Sequence, residues 1–356
     1  REESRSGGYE AAEARADDLR SVYSTLADLV GADRSEIALS DSATRAWGSV
    51  FSAMTFREGD RILTTSSEYA SNVIAFLQAA RRTGVSVEVV PNRTTGEIDP
   101  NALQTMIDER VRLIAINHVP TNSGLVNPAA DVGSVARAHG VPYLLDACQS
   151  VGQMPVDVQQ IGCDMLCGTG RKFLRGPRGT GLLYVRKSFL EQLEPSQLNH
   201  HAAELINTGA YRLRDDAKRF ECWERSCAGQ VALGVAIDYA LGWGLQAINQ
   251  RIGLLATELR RRLADVNGVT VADRGIEQSG IVTLFAEQVP AESLQHQLMS
   301  RGINTSLVPF SANPVSAEKR NLPALLRASL HYYNSHQEID RFIIELDQTI
   351  SKAAVS

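Results

Sequence analysis

This sequence predicts an α/β architecture: a mainly parallel, mixed sheet flanked by helices, followed by a smaller α+β unit. Three observations carry that prediction. Short apolar runs alternate with helical stretches through the first two thirds of the chain, the pattern of strand–helix–strand units whose sheet carries helices on both faces. At 356 residues the chain exceeds one ordinary core, so a large domain over residues 1–240 and a smaller one over 241–356 are expected. Two apolar runs also end in polar chemistry. Val141 to Leu145 delivers Asp146, and Cys163 to Cys167 leads into the glycine-flanked turn that holds Lys172.

Hydrophobic residues at 44% and charged residues at 22% describe an ordinary soluble globular protein. A net charge of −5 gives no basis for nucleic acid or an anionic membrane as partner. No apolar run approaches the roughly 20 residues that cross a bilayer, and no signal peptide is visible. Five cysteines, an odd number without a Cys-x-x-Cys pair, argue for a reducing cytoplasmic compartment. Cys163 and Cys167 read as core residues, and no metal site is expected.

Taken in order, Gly8 to Val30 carries apolar positions at helical spacing and reads as one long helix. The strand Glu36 to Ser40 leads into Asp41-Ser42-Ala43-Thr44 and a helix from Arg45 to Phe56. Free backbone N–H groups at such a helix start suit a phosphate, although an ordinary N-cap needs the same residues. Arg61 to Thr65 is the next strand, and Ser67-Glu68-Tyr69-Ala70-Ser71-Asn72 opens the next helix; Tyr69 there can stack on a flat ring. Val85 to Val90, a helix from Pro100 to about Glu109, and Val111 to Asn117 continue the alternation. The last of these runs through His118, expected to be packed, into Pro120-Thr121-Asn122-Ser123-Gly124.

After Lys172 the periodicity fades between Glu191 and Lys218, where His200 and His201, adjacent in sequence, are unsuited to chelate one metal. A long helix from Gly229 to about Trp243 leads to the small domain. That domain reads as a helix (Ile248 to Asp265), strands (Val269 to Val271, Ile281 to Phe285), a helix (Ala291 to Ser300), strands (Ile303 to Ser306, Leu326 to Leu330) and a last helix (Gln337 to Lys352).

A carboxylate and an amine presented by two strand ends to one crevice are what a protein needs to hold a pyridine ring and capture its aldehyde as an imine. Asp146 and Gln149, then Thr169-Gly170-Arg171-Lys172 and Gly176-Pro177-Arg178-Gly179, stand in the order and spacing of the fold-type I pyridoxal-phosphate enzymes. The chain resembles in particular their class V aminotransferase and cysteine desulfurase-like superfamily, from about residue 15 to its end.

The resemblance implies pyridoxal 5'-phosphate as cofactor and a homodimer with active sites at the subunit interface. It implies Lys172 as the covalent anchor and base, with Asp146 on the ring nitrogen. Gln149 and Thr121 fall near the phenolic oxygen, and Ala43, Thr44, Thr169 and Arg171 on the phosphate. Tyr69 would lie over the ring, Arg327 on the substrate carboxylate, and Asn122 on cofactor or substrate. Tyr9 reads as a surface tyrosine with a substrate-contact role as its alternative. Arg225 reads either as a contact to a partner subunit's phosphate or as an ion pair with Glu224 or Glu221. The chain begins at Arg1, so a further N-terminal segment is expected.

No cysteine follows Cys227, so the small-domain segment Arg301 to Pro314, where desulfurase relatives carry a mobile nucleophile, has none. On that ground the sequence points away from a cysteine desulfurase. It points toward a carbon–sulfur β-lyase, similar to hercynylcysteine sulfoxide lyase, that cleaves an S-substituted cysteine or its sulfoxide in secondary metabolism. The alternative is a class V epimerase or aminotransferase.

Overall fold

The computed structural model describes residues 1–308 and 322–353. Its N-terminus holds α1 (Glu3–Ser6), α2 (Gly8–Ala14) and α3 (Ala16–Val30). The expected single helix over Gly8 to Val30 is thus broken at Arg15, whose φ of −113° and ψ of 18° leave the helical region although neither Gly nor Pro marks the break. Only α3 has the burial to persist: Val22, Tyr23, Leu26, Leu29 and Val30 recur on one face and are all buried. Gly31, left-handed at φ 70°, ends it.

The first half then alternates as β1 (Ile37–Ser40), α4 (Ala43–Ser52), β2 (Arg61–Thr64), α5 (Ala70–Thr83), β3 (Ser86–Val89), α6 (Pro100–Met106), β4 (Val111–Asn117), α7 (Ala129–His139) and β5 (Tyr143–Asp146). There follow α8 (Val158–Ile161), β6 (Met165–Thr169), β7 (Gly181–Val185), α9 (Lys187–Leu190), β8 (Ala203–Asn207), β9 (Ala210–Leu213) and α10 (Cys227–Trp243). Seven strands form one sheet in the order β1-β7-β6-β5-β4-β2-β3. The five from β6 to β3 are parallel, whereas β7 runs against both β6 and β1. Buried Leu144, Leu145, Leu166 and Leu183 place core on both faces of this sheet, each such side chain contributing about 1.5–3 kcal/mol of hydrophobic stabilisation.

The stretch expected to be irregular from Glu191 to Lys218 contains the β8–β9 hairpin. Its residues are mostly exposed, so no alternation of buried and exposed side chains announced it.

The remaining residues build α11 (Leu245–Ala264), β10 (Val269–Val271), β11 (Ile281–Ala286), α12 (Ala291–Ser300), β12 (Ser306–Val308), β13 (Leu325–Ser329) and α13 (His336–Ala353). Their four strands form a separate antiparallel sheet, β10-β11-β13-β12, whose core joins Leu255, Leu284, Leu326 and Leu346. Helix α11 enters at 78° to α10, and no single helix among the described residues is long and apolar enough to cross a membrane. Part of the segment from Arg301 to Pro314, residues 309–314, lies outside the described residues.

Candidate active site

Three adjacent parallel strands finish at one level. Asn117 of β4 pairs with Asp146 of β5, and Asp146 with Cys167 of β6, so the chain beyond these strands converges on the crevice at their C-terminal ends. The N-terminus of α4 closes the crevice from the β7 side. At Gly181 a Cβ would lie 2.7 Å from the Ser42 carbonyl carbon, so only glycine lets β7 approach the helix start this closely.

The cleft so formed is lined by Ala43, Thr44, Tyr69, Thr121, Asp146, Gln149, Thr169, Arg171 and Lys172, and also by Ser42, Asn72, Asn117, Val119 and Cys148. The first nine are the residues singled out from sequence for the cofactor. Asn72, Asn117 and Cys148 were missed. No local signal marked Asn72, which follows the helix N-cap Tyr69 and reaches Asp146 across 74 positions of chain.

The donor set suits a phosphorylated pyridine aldehyde. Ser42 caps α4 by accepting from Arg45 N–H at 3.2 Å, which leaves the Ala43 and Thr44 N–H groups at the positive helix end without an intrahelical acceptor. Arg171 is exposed at the cleft and, among the described residues, makes no ion pair or hydrogen bond. The Thr169 hydroxyl donates to the Thr180 carbonyl at 3.3 Å, a long bond that it can exchange for a phosphate oxygen.

Asp146, 6% exposed, accepts from Cys148 N–H on Oδ1 at 2.9 Å and from Asn72 Nδ2 on Oδ2 at 3.0 Å. Lys172 Nζ lies 3.2 Å from Cys148 Sγ. Burial, then the charge of Asp146, push the Cys148 thiol up to about 11 against the opposing pull of Lys172.

Gln149 Nε2 donates to Thr121 Oγ1 at 2.9 Å. The same hydroxyl accepts from Arg327 Nη1 at 3.0 Å, and the Thr121 carbonyl accepts from it at 2.6 Å. Strand β13 thereby brings the small-domain guanidinium to the cleft's rim. Burial alone makes Arg327 a weaker base than usual, and its Nε has no hydrogen-bond partner. A partly buried cation that faces only neutral oxygens among the described residues suits an anionic ligand group.

Asn122, expected on cofactor or substrate, is half-buried and does not line the cleft. Nor does His118, which is buried, pushed down to about 4 by desolvation, and tied to Asp146 only through its backbone N–H. Arg225 forms an ion pair with Glu221 at 3.4 Å. Tyr9 is 78% exposed. Cys163 and Cys167 are fully buried, and all five cysteines are free.

Residues 3–342 match the family Aminotransferase class-V. The chain belongs to that family. It is a pyridoxal-phosphate-dependent enzyme of the fold-type I class V superfamily, as its motifs implied. It is 31% identical over 292 residues to a probable cysteine desulfurase of Halalkalibacterium halodurans, covering 82% of this chain and 71% of the relative.

Among solved structures, the apo cysteine desulfurase of Thermococcus onnurineus NA1 superposes with a TM-score of 0.90 at 24% identity, covering 96% of this chain and 85% of that one. The cystine C–S lyase C-DES, solved with its product cysteine persulfide, gives 0.85 at 24% identity, covering 96% and 88%. These two share the fold.

The comparisons correct one expectation. The absence of a cysteine after Cys227 pointed away from a desulfurase and toward a lyase for S-substituted cysteines or their sulfoxides, yet the relatives are named cysteine desulfurases. A missing nucleophile at one position removes one route for the sulfur. It says nothing about which carbon–sulfur bond the cleft receives.

Proposed function

We propose that this enzyme breaks the Cβ–Sγ bond of cysteine and passes the sulfur to an acceptor thiol. The observation that carries this reading is the Arg327 guanidinium, partly buried at the rim of the Lys172 cleft without an anionic partner among the described residues, in a chain whose relatives are named for acting on cysteine. When bound, the cofactor withdraws electrons from the α-carbon of the amino acid attached to it.

Each residue then has a task. Lys172 anchors the cofactor and moves the proton at the substrate's α-carbon. Asp146 keeps the ring nitrogen protonated, while Gln149 and Thr121 hold the phenolic oxygen. Ala43 and Thr44 N–H, Thr169 and Arg171 bind the phosphate, and Tyr69 covers the ring. Arg327 fixes the substrate carboxylate, and so decides which α-carbon bond stands perpendicular to the ring.

The substrate loses its sulfur, gains a proton at the β-carbon and leaves as alanine, while a new S–S bond forms on the acceptor. With no cysteine after Cys227, that acceptor is a thiol from elsewhere than the small domain. Free cysteines support a cytoplasmic setting, and exposed Val235, Tyr239 and Trp243 on α10 support a homodimer.

Incubating the cofactor-loaded enzyme with L-cysteine and an excess of a dithiol tests the reading. The dithiol accepts the sulfur and then reduces it to sulfide. Alanine and sulfide in equal amounts are expected; pyruvate and ammonia in place of alanine, with sulfide released all the same, would overturn the proposal.

A further inference from the structure

Behind Asp146 lies a second buried carboxyl group. Glu68 is 4% exposed and Asn72, which joins it to Asp146, is 2% exposed. Asn72 Nδ2 donates to Glu68 Oε1 and to Asp146 Oδ2, both at 3.0 Å. Glu68 Oε1 also accepts at 2.7 Å from the N–H of Tyr69, whose side chain lines the cleft. The amide of Asn72 can only donate to these oxygens, so it holds both carboxyl groups in one orientation.

The other oxygen, Glu68 Oε2, lies beside the Thr64 hydroxyl without a hydrogen bond of good geometry. Among the described residues, the ionisable groups around Glu68 are Asp146 and Tyr143 from β5 and Cys167 from β6, with no cation. A carboxylate there would be a buried anion, half unanswered, one amide away from another anion. The neutral acid avoids that cost.

We propose that Glu68 and Asn72 are a positioning pair for the cofactor ring, Asn72 orienting the Asp146 carboxylate and Glu68 orienting Asn72. The pair rests on Asp146 being the partner of the ring nitrogen. Burial, and next the charge of Asp146, push Glu68 up to about 8. Asp146 is then the single negative charge behind the ring at neutral pH. Mildly alkaline solution adds a second, which Asp146 senses across one amide.

The test uses the cofactor-loaded enzyme and needs no substrate. Cofactor dissociation and the pH titration of its visible absorbance are measured for the parent chain and for Glu68→Gln, Asn72→Ala and Asp146→Asn. Glutamine reproduces the neutral acid, so Glu68→Gln should bind the cofactor within about twofold of the parent, whereas Asn72→Ala should weaken it about tenfold. The parent should show an alkaline step in the absorbance that Glu68→Gln lacks.

An unchanged step in Glu68→Gln overturns the proposal, as does cofactor loss in that variant equal to that in Asn72→Ala, or none in Asn72→Ala. If Asn72→Ala does not fold, the Glu68→Gln titration decides alone. Asp146→Asn separates the two levels. If it leaves affinity and absorbance untouched, the role of Asp146 itself fails; if it changes both while Glu68→Gln keeps the step, only the pair fails.

Discussion

Lys172 Nζ and Cys148 Sγ stand 3.2 Å apart, and both side chains line the cleft. The thiol is pushed up to about 11, mainly by burial, so at neutral pH it is protonated and a poor nucleophile despite the neighbouring amine. Iodoacetamide at neutral pH should therefore modify exposed Cys222 at least about tenfold faster than Cys148, read by mass spectrometry of the peptides. Equal rates would show a thiolate beside Lys172.

Among the described residues Lys172 is the one lysine lining the cleft, so Lys172→Ala should abolish borohydride-reducible attachment of the cofactor. Turnover should fall by ~10³-fold, within the range for loss of a positioned proton-transfer group. A reducible adduct that persists in the variant would move the anchor to another residue.

The parallel sheet was legible because buried strands such as Tyr143–Asp146 are continuous apolar runs ending at the chemistry they present. The nine cleft residues were legible because the motif's spacing ties each to a strand or helix end. Asn72 and Glu68 were not. Their importance comes from β5 lying against the start of α5, a contact between residues 74 positions apart that local spacing does not encode. The break at Arg15 and the β8–β9 hairpin escaped for a different reason: both lie in largely exposed backbone, where burial imposes no period.

Arg327 provides a test that separates substrate from cofactor. Its Nη1 rests on Thr121, whose hydroxyl also holds Gln149, so an incoming carboxylate exchanges neutral acceptors for a charged one. Arg327→Ala should raise KM for the amino acid by about 10–100-fold and leave cofactor affinity within about twofold. Arg327→Lys should recover only part, since a single ammonium cannot form the planar fork. Equal loss of both affinities would make Arg327 a structural residue.

Asp273 joins the small-domain sheet to the loop after Thr121. Its side chain is fully buried and accepts from Arg260 Nε at 2.9 Å, from the Thr283 hydroxyl at 2.5 Å and from Gly124 N–H at 2.9 Å. Arg260 Nη2 in turn donates to the carbonyls of Ser279 and Ile281 at 3.0 and 2.6 Å. Asp273→Ala strands a largely buried guanidinium and an N–H, at a cost of about 3–5 kcal/mol. Urea unfolding should show this as a lower midpoint, and a loss below about 1 kcal/mol would mean that water replaces the carboxylate there.

Glu68 leaves a signature in stability as well as in the cofactor. Its folded value of about 8 stands above the ordinary 4.5, so between these the folded chain keeps a proton that the unfolded chain has released. Stability from this group is full below 4.5 and is lost as pH rises toward about 8. His118 and His331 act the other way. Desolvation lowers both from 6.5 to about 4, so the unfolded chain binds more protons in that window and stability is lost as pH falls through it. The two effects overlap between 4.5 and 6.5 and separate above 6.5, where Glu68 remains. From pH 6.5 to 8 the Tm of the cofactor-free parent should fall relative to Glu68→Gln, by on the order of a few °C. Parallel curves across that window would mean that Glu68 is ionised in the folded chain, with a cation or water compensating it.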